Sequence, residues 1–170
     1  MDRHLWLIGM MGSGKTAVAA ELGVRWDVPS LDTDAEVVKR TGCSIGQLWG
    51  ERGEEAFRDM EAAAVRRIAG KPASVVATGG GAVLDDGNVA AMRGSGSVVW
   101  LSAPPEILSA RVGSGKGRPL LEGDSSEIRL AEILKTRSPL YSAASDFALD
   151  IGKLSVPEVA DKVEAWWNGS

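Results

Sequence analysis

Apolar residues in this chain come in short consecutive runs separated by longer stretches where they recur every third or fourth position. Leu5-Trp-Leu-Ile8 is the first run, and Val28-Pro-Ser-Leu31, Ser74-Val-Val-Ala-Thr78, Ser97-Val-Val-Trp-Leu101 and Phe147-Ala-Leu-Asp150 follow. Runs this short, apolar at neighbouring positions, predict strands buried on both faces. The stretches between them predict helices over Lys15 to Trp26, Ala35 to Arg40, Ile45 to Trp49, Glu54 to Ala69, Glu127 to Arg137 and Val156 to Trp167. Ala56, Met60, Ala63, Ala64 and Ile68 keep helical spacing, and Pro104-Pro105 suits the first turn of a further helix. Five strands alternating with helices imply a parallel sheet covered on both faces, an α/β fold in one domain over residues 1–170. Val112 to Asp124 breaks the pattern with Gly, Ser, Lys and Arg; this segment, 112–124, is expected to be a mobile lid.

Composition narrows the function classes. The chain is 44% hydrophobic and 25% charged with a net charge of −4, an ordinary soluble balance without the basic surplus of a nucleic-acid binder. Cys43 is the single cysteine, so no intrachain disulfide forms, which fits a reducing, cytoplasmic setting. No run reaches membrane-spanning length, and no signal-peptide pattern precedes the first strand. The single histidine, His4, is expected to be an exposed residue at the start of a strand. A Ser-His-Asp or Cys-His mechanism would have to use it, so the general base is expected to be a carboxylate, a lysine or a water.

The candidate chemistry begins at Gly9-Met-Met-Gly-Ser-Gly-Lys-Thr16, a G-x-x-x-x-G-K-T spacing between a strand and a helix. Glycines there let backbone N–H groups turn onto phosphate oxygens, and the helix N-terminus favours the anion. Lys15 can reach the β- and γ-phosphates, and the Thr16 hydroxyl can bind Mg²⁺. Asp32 and Asp34 stand two residues apart after the second apolar run and can divide labour between metal and acceptor; the plain alternative is an Asp-rich turn with Asp34 as a helix cap. Gly79-Gly-Gly81 marks a backbone that closely approaches a ligand, or else a tight turn. Arg58 and Glu61, three apart on a helix, are either an exposed ion pair or an arginine held ready for a carboxylate. Arg118, within the lid, can neutralise charge on a transferring phosphoryl group. Arg137 is placed at the end of its helix, just before Pro139 and Tyr141.

In order and spacing, "GMMGSGKT", "DTD", "CSIGQLWGERGEEAFRDME", "TGGGAV", "GRPLL" and "TRSPLY" resemble the shikimate kinase family over nearly the whole chain. The resemblance implies a nucleoside-monophosphate-kinase-like fold with strand order 2-3-1-4-5, a lid, and a substrate-binding segment over about 33–61. It implies transfer of the ATP γ-phosphoryl group to the 3-hydroxyl of shikimate, on the route to chorismate and aromatic amino acids. Carried over by position, Asp34, Arg58, Gly80, Gly81 and Arg137 would hold shikimate, with Lys15, Asp34 and Arg118 catalytic. Gly12, Ser13, Gly14, Lys15, Thr16 and Ala17 would hold the ATP phosphates, Arg118 the ATP and Arg111 the adenine; Thr16 and Asp32 would hold Mg²⁺, Asp32 through water. Trp49 stands where the family commonly has phenylalanine, and "IGKLSVPEV" after Asp150 departs from the family pattern. Shikimate and ATP are the expected partners of a monomer that binds neither nucleic acid nor membrane. A gluconate-kinase-like polyol kinase and an idle ATP-binding regulatory module are the competing readings.

Overall fold

A computed structural model describes residues 1–112 and 126–170, with the side chain of Ser126 left aside. Its strands are β1 (His4–Ile8), β2 (Ser30–Asp32), β3 (Val75–Ala77), β4 (Gly96–Ser102) and β5 (Phe147–Asp150). Among the described residues they form one parallel sheet in the order β2-β3-β1-β4-β5. The helices are α1 (Lys15–Trp26), α2 (Thr33–Thr41), α3 (Ile45–Ala69), α4 (Asp86–Ser95), α5 (Pro105–Val112), α6 (Ser126–Ala144) and α7 (Val156–Asn168). None of the described helices is long and apolar enough to cross a membrane.

β1 explains why the strand runs are apolar throughout. It lies between β3 and β4, and side chains alternate between faces. Leu5 and Leu7 join Val75, Val99 and Leu101 under Val18 and Leu22 of α1 and Val159 and Val163 of α7. Trp6 and Ile8 join Val76 and Val98 under Val65 and Ile68 of α3 and Met92 of α4. Each such side chain contributes about 1.5–3 kcal/mol by leaving water. A third cluster, Val37, Leu48, Phe57 and Ala64, ties α2 to α3 and gives the expected substrate-binding segment a core of its own.

Several expectations need correction. His4 is 2% exposed, because β1 is central from its first residue; its Nδ1 lies 2.9 Å from Ser74 Oγ and its ring packs on Trp6. β2 starts at Ser30, later than the apolar run, because Pro29 has no N–H for the ladder. Asp34 does not cap α2. Asp32 does, accepting from the N–H groups of Asp34 and Ala35. α4 was not evident from the pattern: Asp85 caps it, and its first turn, Asp86-Gly-Asn, has turn-forming composition. α6 runs through Pro139 to Ala144, so Arg137 sits inside a helix and not at its end. Val112, where the expected lid begins, is the last residue of α5, and 113–125 lies outside the described residues. By contrast, Ile45 to Trp49 and Glu54 to Ala69 are, as expected, two helical stretches within α3, parted at Gly53, whose φ of 81° and ψ of 172° are not helical.

Candidate active site

The carboxyl ends of β1, β2 and β3 open onto one cleft, the usual ligand position in an open parallel sheet. The loop after β1 needs its glycines. Gly12 has φ 82°, and a Cβ there would stand 2.7 Å from the carbonyl oxygen of Leu108. Lys15 folds back over the loop: Nζ donates to the Gly9 and Met10 carbonyls, each at 2.8 Å, and to Ser13 Oγ at 3.3 Å. Thr16 Oγ1 donates to Asp32 Oδ2 at 2.8 Å. Asp32 therefore uses one oxygen to cap α2 and turns the other to the phosphate-loop hydroxyl. The cleft, of about 400 Å³, is lined by Met11, Gly12, Gly14, Lys15, Thr16, Ala17, Asp32, Asp34, Thr78, Gly80 and Arg111. Arg111 reaches it from α5, with Nη2 donating to the Ile151 carbonyl at 3.3 Å.

The other half of the site surrounds the triple glycine. Gly79 N–H donates to Thr33 Oγ1 at 2.8 Å, which holds the turn against α2. A Cβ on Gly79 would stand 2.6 Å from Asp34 Oδ1 and closer still to Glu61 Oε1, so only glycine fits there. Among the described residues, those two buried carboxylate oxygens have no hydrogen-bond partner. Burial pushes the Asp34 carboxyl up to about 6, with Glu61 and Asp32 adding to the rise and Lys15 and Arg58 opposing it. Burial also raises Glu61, against the pull of Arg58.

Arg58 is held from four sides. Nη1 donates to Glu61 Oε2 at 2.7 Å and Nη2 to Glu54 Oε1 at 3.2 Å. The guanidinium carbon lies 5.4 Å from the Trp49 ring centroid and 5.3 Å from that of Phe57, within cation–π range. Glu61 is 1% exposed, so this is no surface ion pair. The guanidinium occupies the space a side chain on Gly81 would need, with Nη2 at 2.6 Å from that Cβ position. On the far side Arg137, 6% exposed, donates from Nη1 to the Gly80 carbonyl at 3.2 Å.

The fold thus gathers Gly12, Gly14, Lys15, Thr16, Ala17, Asp32, Asp34, Gly80 and Arg111 along one cleft. Ser13 is buried beneath Lys15, and Arg58, Gly81 and Arg137 stand around the triple glycine. Arg118 lies outside the described residues. Glu61, read from the sequence only as a partner for Arg58, turns out to face Asp34's side of Gly79 as well. Tyr141 was not singled out. Its signals were its place at the end of "TRSPLY" and the four-residue spacing from Arg137, which Pro139 disguised as a post-helix position.

A strand, a glycine-rich loop with Lys15 and Thr16, and a carboxylate beside the hydroxyl define a P-loop phosphotransferase, and Arg58 and Arg137 beside the triple glycine suit a small anionic acceptor. A model of the shikimate kinase family matches residues 11–167. A shikimate kinase from Desulforudis audaxviator is 42% identical over 156 residues, covering 92% of this chain and 82% of that one. Another from Cupriavidus pinatubonensis is 38% identical over 160 residues, with 94% and 83% covered. Among solved structures, shikimate kinase from Acinetobacter baumannii in complex with shikimate superposes with a TM-score of 0.97 at 31% identity, covering 99% of this chain and 94% of that one. The chain belongs to the shikimate kinase family. A gluconokinase from Sinorhizobium meliloti, at 18% identity and a TM-score of 0.61 over 96% of this chain and 90% of its own, shares the fold alone.

Proposed function

We propose that this chain transfers the γ-phosphoryl group of ATP to the 3-hydroxyl of shikimate, giving shikimate 3-phosphate and ADP. The observation that carries the reading is the flanking of the triple glycine by two guanidiniums, Arg58 and Arg137, where Gly80 and Asp34 also line the phosphate-loop cleft. Shikimate is a small carboxylate bearing three hydroxyls. Two arginines suit its carboxylate, and Asp34 and the glycine backbone suit its hydroxyls. Gluconate also offers a carboxylate and hydroxyls, but the 31%-identical relative solved with shikimate favours shikimate over gluconate as acceptor.

Each residue then has a task. The backbone N–H groups of Gly12 to Ala17 cradle phosphates, and Lys15 neutralises charge on the transferring group. Asp34 orients the acceptor hydroxyl and takes its proton; a carboxyl near 6 is a better base than an ordinary aspartate. The Thr16 hydroxyl and Asp32 carboxylate, side by side, fit magnesium, which binds few protein groups and completes its shell with phosphate and water. Magnesium bound there would supply charge neutralisation at the β- and γ-phosphates. Arg111 lies against the adenine; Arg118, expected to serve the ATP, is outside the described residues. Residues 1–170 act as one domain, with 33–61 as the acceptor segment and 112–124 as a lid. The expected state is a monomer, and the net charge of −4 and single cysteine suit a cytoplasmic enzyme of small molecules.

Coupled measurement of ADP release tests the reading. Shikimate should support turnover with Mg²⁺ and ATP, whereas gluconate and nucleoside monophosphates should not. Turnover with gluconate and none with shikimate would reassign the acceptor. Absence of turnover with all of them would favour the idle-module reading.

A further inference from the structure

We propose that Tyr141 is a positioning residue for the acceptor: its hydroxyl, together with Arg137, fixes the peptide plane between Gly80 and Gly81. The inference rests on the assignment of shikimate to the triple-glycine side of the cleft.

The three glycine carbonyls are not equivalent. Gly79 O accepts from Ala82 N–H at 3.1 Å and Gly81 O from Leu84 N–H at 2.9 Å, both within the local turn. Gly80 O alone is tied to a distant element, accepting from Arg137 Nη1 at 3.2 Å and from the Tyr141 hydroxyl at 2.5 Å. Both donors come from α6, four residues apart on one face. A peptide unit is planar and trans, so anchoring the Gly80 carbonyl toward α6 aims the Gly81 N–H away from it. Glycine backbones have the widest conformational freedom of any residue, so this plane needs an outside anchor to stay in one orientation.

Arg137 is a divided anchor. Its remaining donors are the ones an acceptor carboxylate recruits, so its geometry answers to the ligand. Tyr141 has no such second duty. The residue is 1% exposed, its ring stacks on Trp100 at 5.7 Å and 27°, and its hydroxyl donates to Gly80 O with Met10 Sδ at 3.8 Å and the Arg137 guanidinium beside it. Burial raises the phenol to about 12, so the hydroxyl keeps its proton and remains a donor across the working pH range. Met10 follows β1 at the start of the phosphate loop, so the Tyr141 hydroxyl lies between that loop and the acceptor turn.

Tyr141→Phe removes the oxygen and keeps the ring and its stacking. Losing the hydroxyl to Gly80 should raise the shikimate KM about 5- to 20-fold while the ATP KM stays within about twofold. In the free protein, the Gly81 amide cross-peak should move, because it shares the peptide unit whose carbonyl loses a donor, while the Val75 and Val99 cross-peaks stay in place. A shikimate KM within twofold of wild type, an equal loss for both substrates, or an unmoved Gly81 cross-peak would overturn the proposal. Collapse of amide dispersion in the variant would assign Tyr141 to packing alone, with the same consequence. Wild-type protein without shikimate-dependent turnover would instead remove the functional reading, and the positioning claim with it.

Discussion

Asp34 is pulled in two directions: burial and the neighbouring carboxylates favour its proton, while Lys15 and Arg58 favour its charge. With its carboxyl near 6 in the free protein, kcat/KM for shikimate should fall as pH drops through about 6, and Asp34→Asn should lower kcat by about 10²-fold or more at pH 8. The same shift has a stability consequence of opposite sense. The folded value of about 6 exceeds the ordinary 3.8, so folding favours the protonated form; that contribution is complete at low pH and is lost as pH rises through about 6. Asp34→Asn in the free enzyme should therefore stabilise it against urea by about 1–2 kcal/mol more at pH 8 than at pH 5. An equal effect at both pH values would mean that Asp34 is solvated when the site is empty. Lys15→Met should abolish turnover in a folded protein, since a thioether cannot neutralise the transferring group; persistent turnover would remove the phosphate-loop mechanism. Lys15 and Thr16 were legible as a phosphate-loop motif from spacing, whereas the pairing of Asp32 with the Thr16 hydroxyl needed the fold. Glu61 and His4 were not legible, because burial depends on what packs above a residue: β1's central place buries the one, and the packed α3 helix buries the other.

At the scale of elements, the proposed acceptor side lies where α2, α3 and α6 converge on the triple glycine. Gly79→Ala would drive a methyl group into Asp34 Oδ1 and Glu61 Oε1. The shikimate KM should rise at least about tenfold with a smaller change for ATP, because both carboxylates must move aside. Arg58→Ala and Arg137→Ala should each cost about 1.5–3 kcal/mol of acceptor binding, or about 10- to 150-fold. Shikimate carboxamide should lose a similar factor on wild type and little on the double variant; equal binding of acid and amide by wild type would end the clamp assignment. The alternation of runs made the strands readable, since consecutive apolar positions are required by a sheet covered on both faces. It failed for α4, where Asp85 to Asn88 reads as a turn but supplies a side-chain cap to the helix that follows. It also failed for the second half of α6, since a proline normally ends a helix. There Arg137, Tyr141 and Ala144 pack against the sheet and the glycine turn strongly enough to carry the helix through Pro139.

In the whole molecule the two proposed substrate sides rest on different parts of the frame. The phosphate loop is fixed by β1 and α1, with Arg111 coming from α5, whereas the acceptor groups ride on α2, α3, α6 and the turn after β3. Strand order follows from this division: β3 sits between β1 and β2, so its glycine turn emerges between the phosphate loop and Asp32. Binding of either ligand to the folded state alone raises stability by RT ln(1 + [L]/Kd), about 2.7 kcal/mol at a hundredfold excess over Kd. For a chain of this size that corresponds to roughly 5–10 °C in Tm. Shikimate without nucleotide should therefore raise the Tm of wild type by that amount and leave the Arg58→Ala/Arg137→Ala double variant unmoved at the same concentration. Mg²⁺-ATP should still stabilise the double variant, because the phosphate loop and the Thr16–Asp32 pair do not depend on either arginine. Gluconate should stabilise neither protein. Loss of the ATP response together with the shikimate response would show that the arginines hold up the whole cleft, and the division of the site into two independently anchored halves would have to be abandoned.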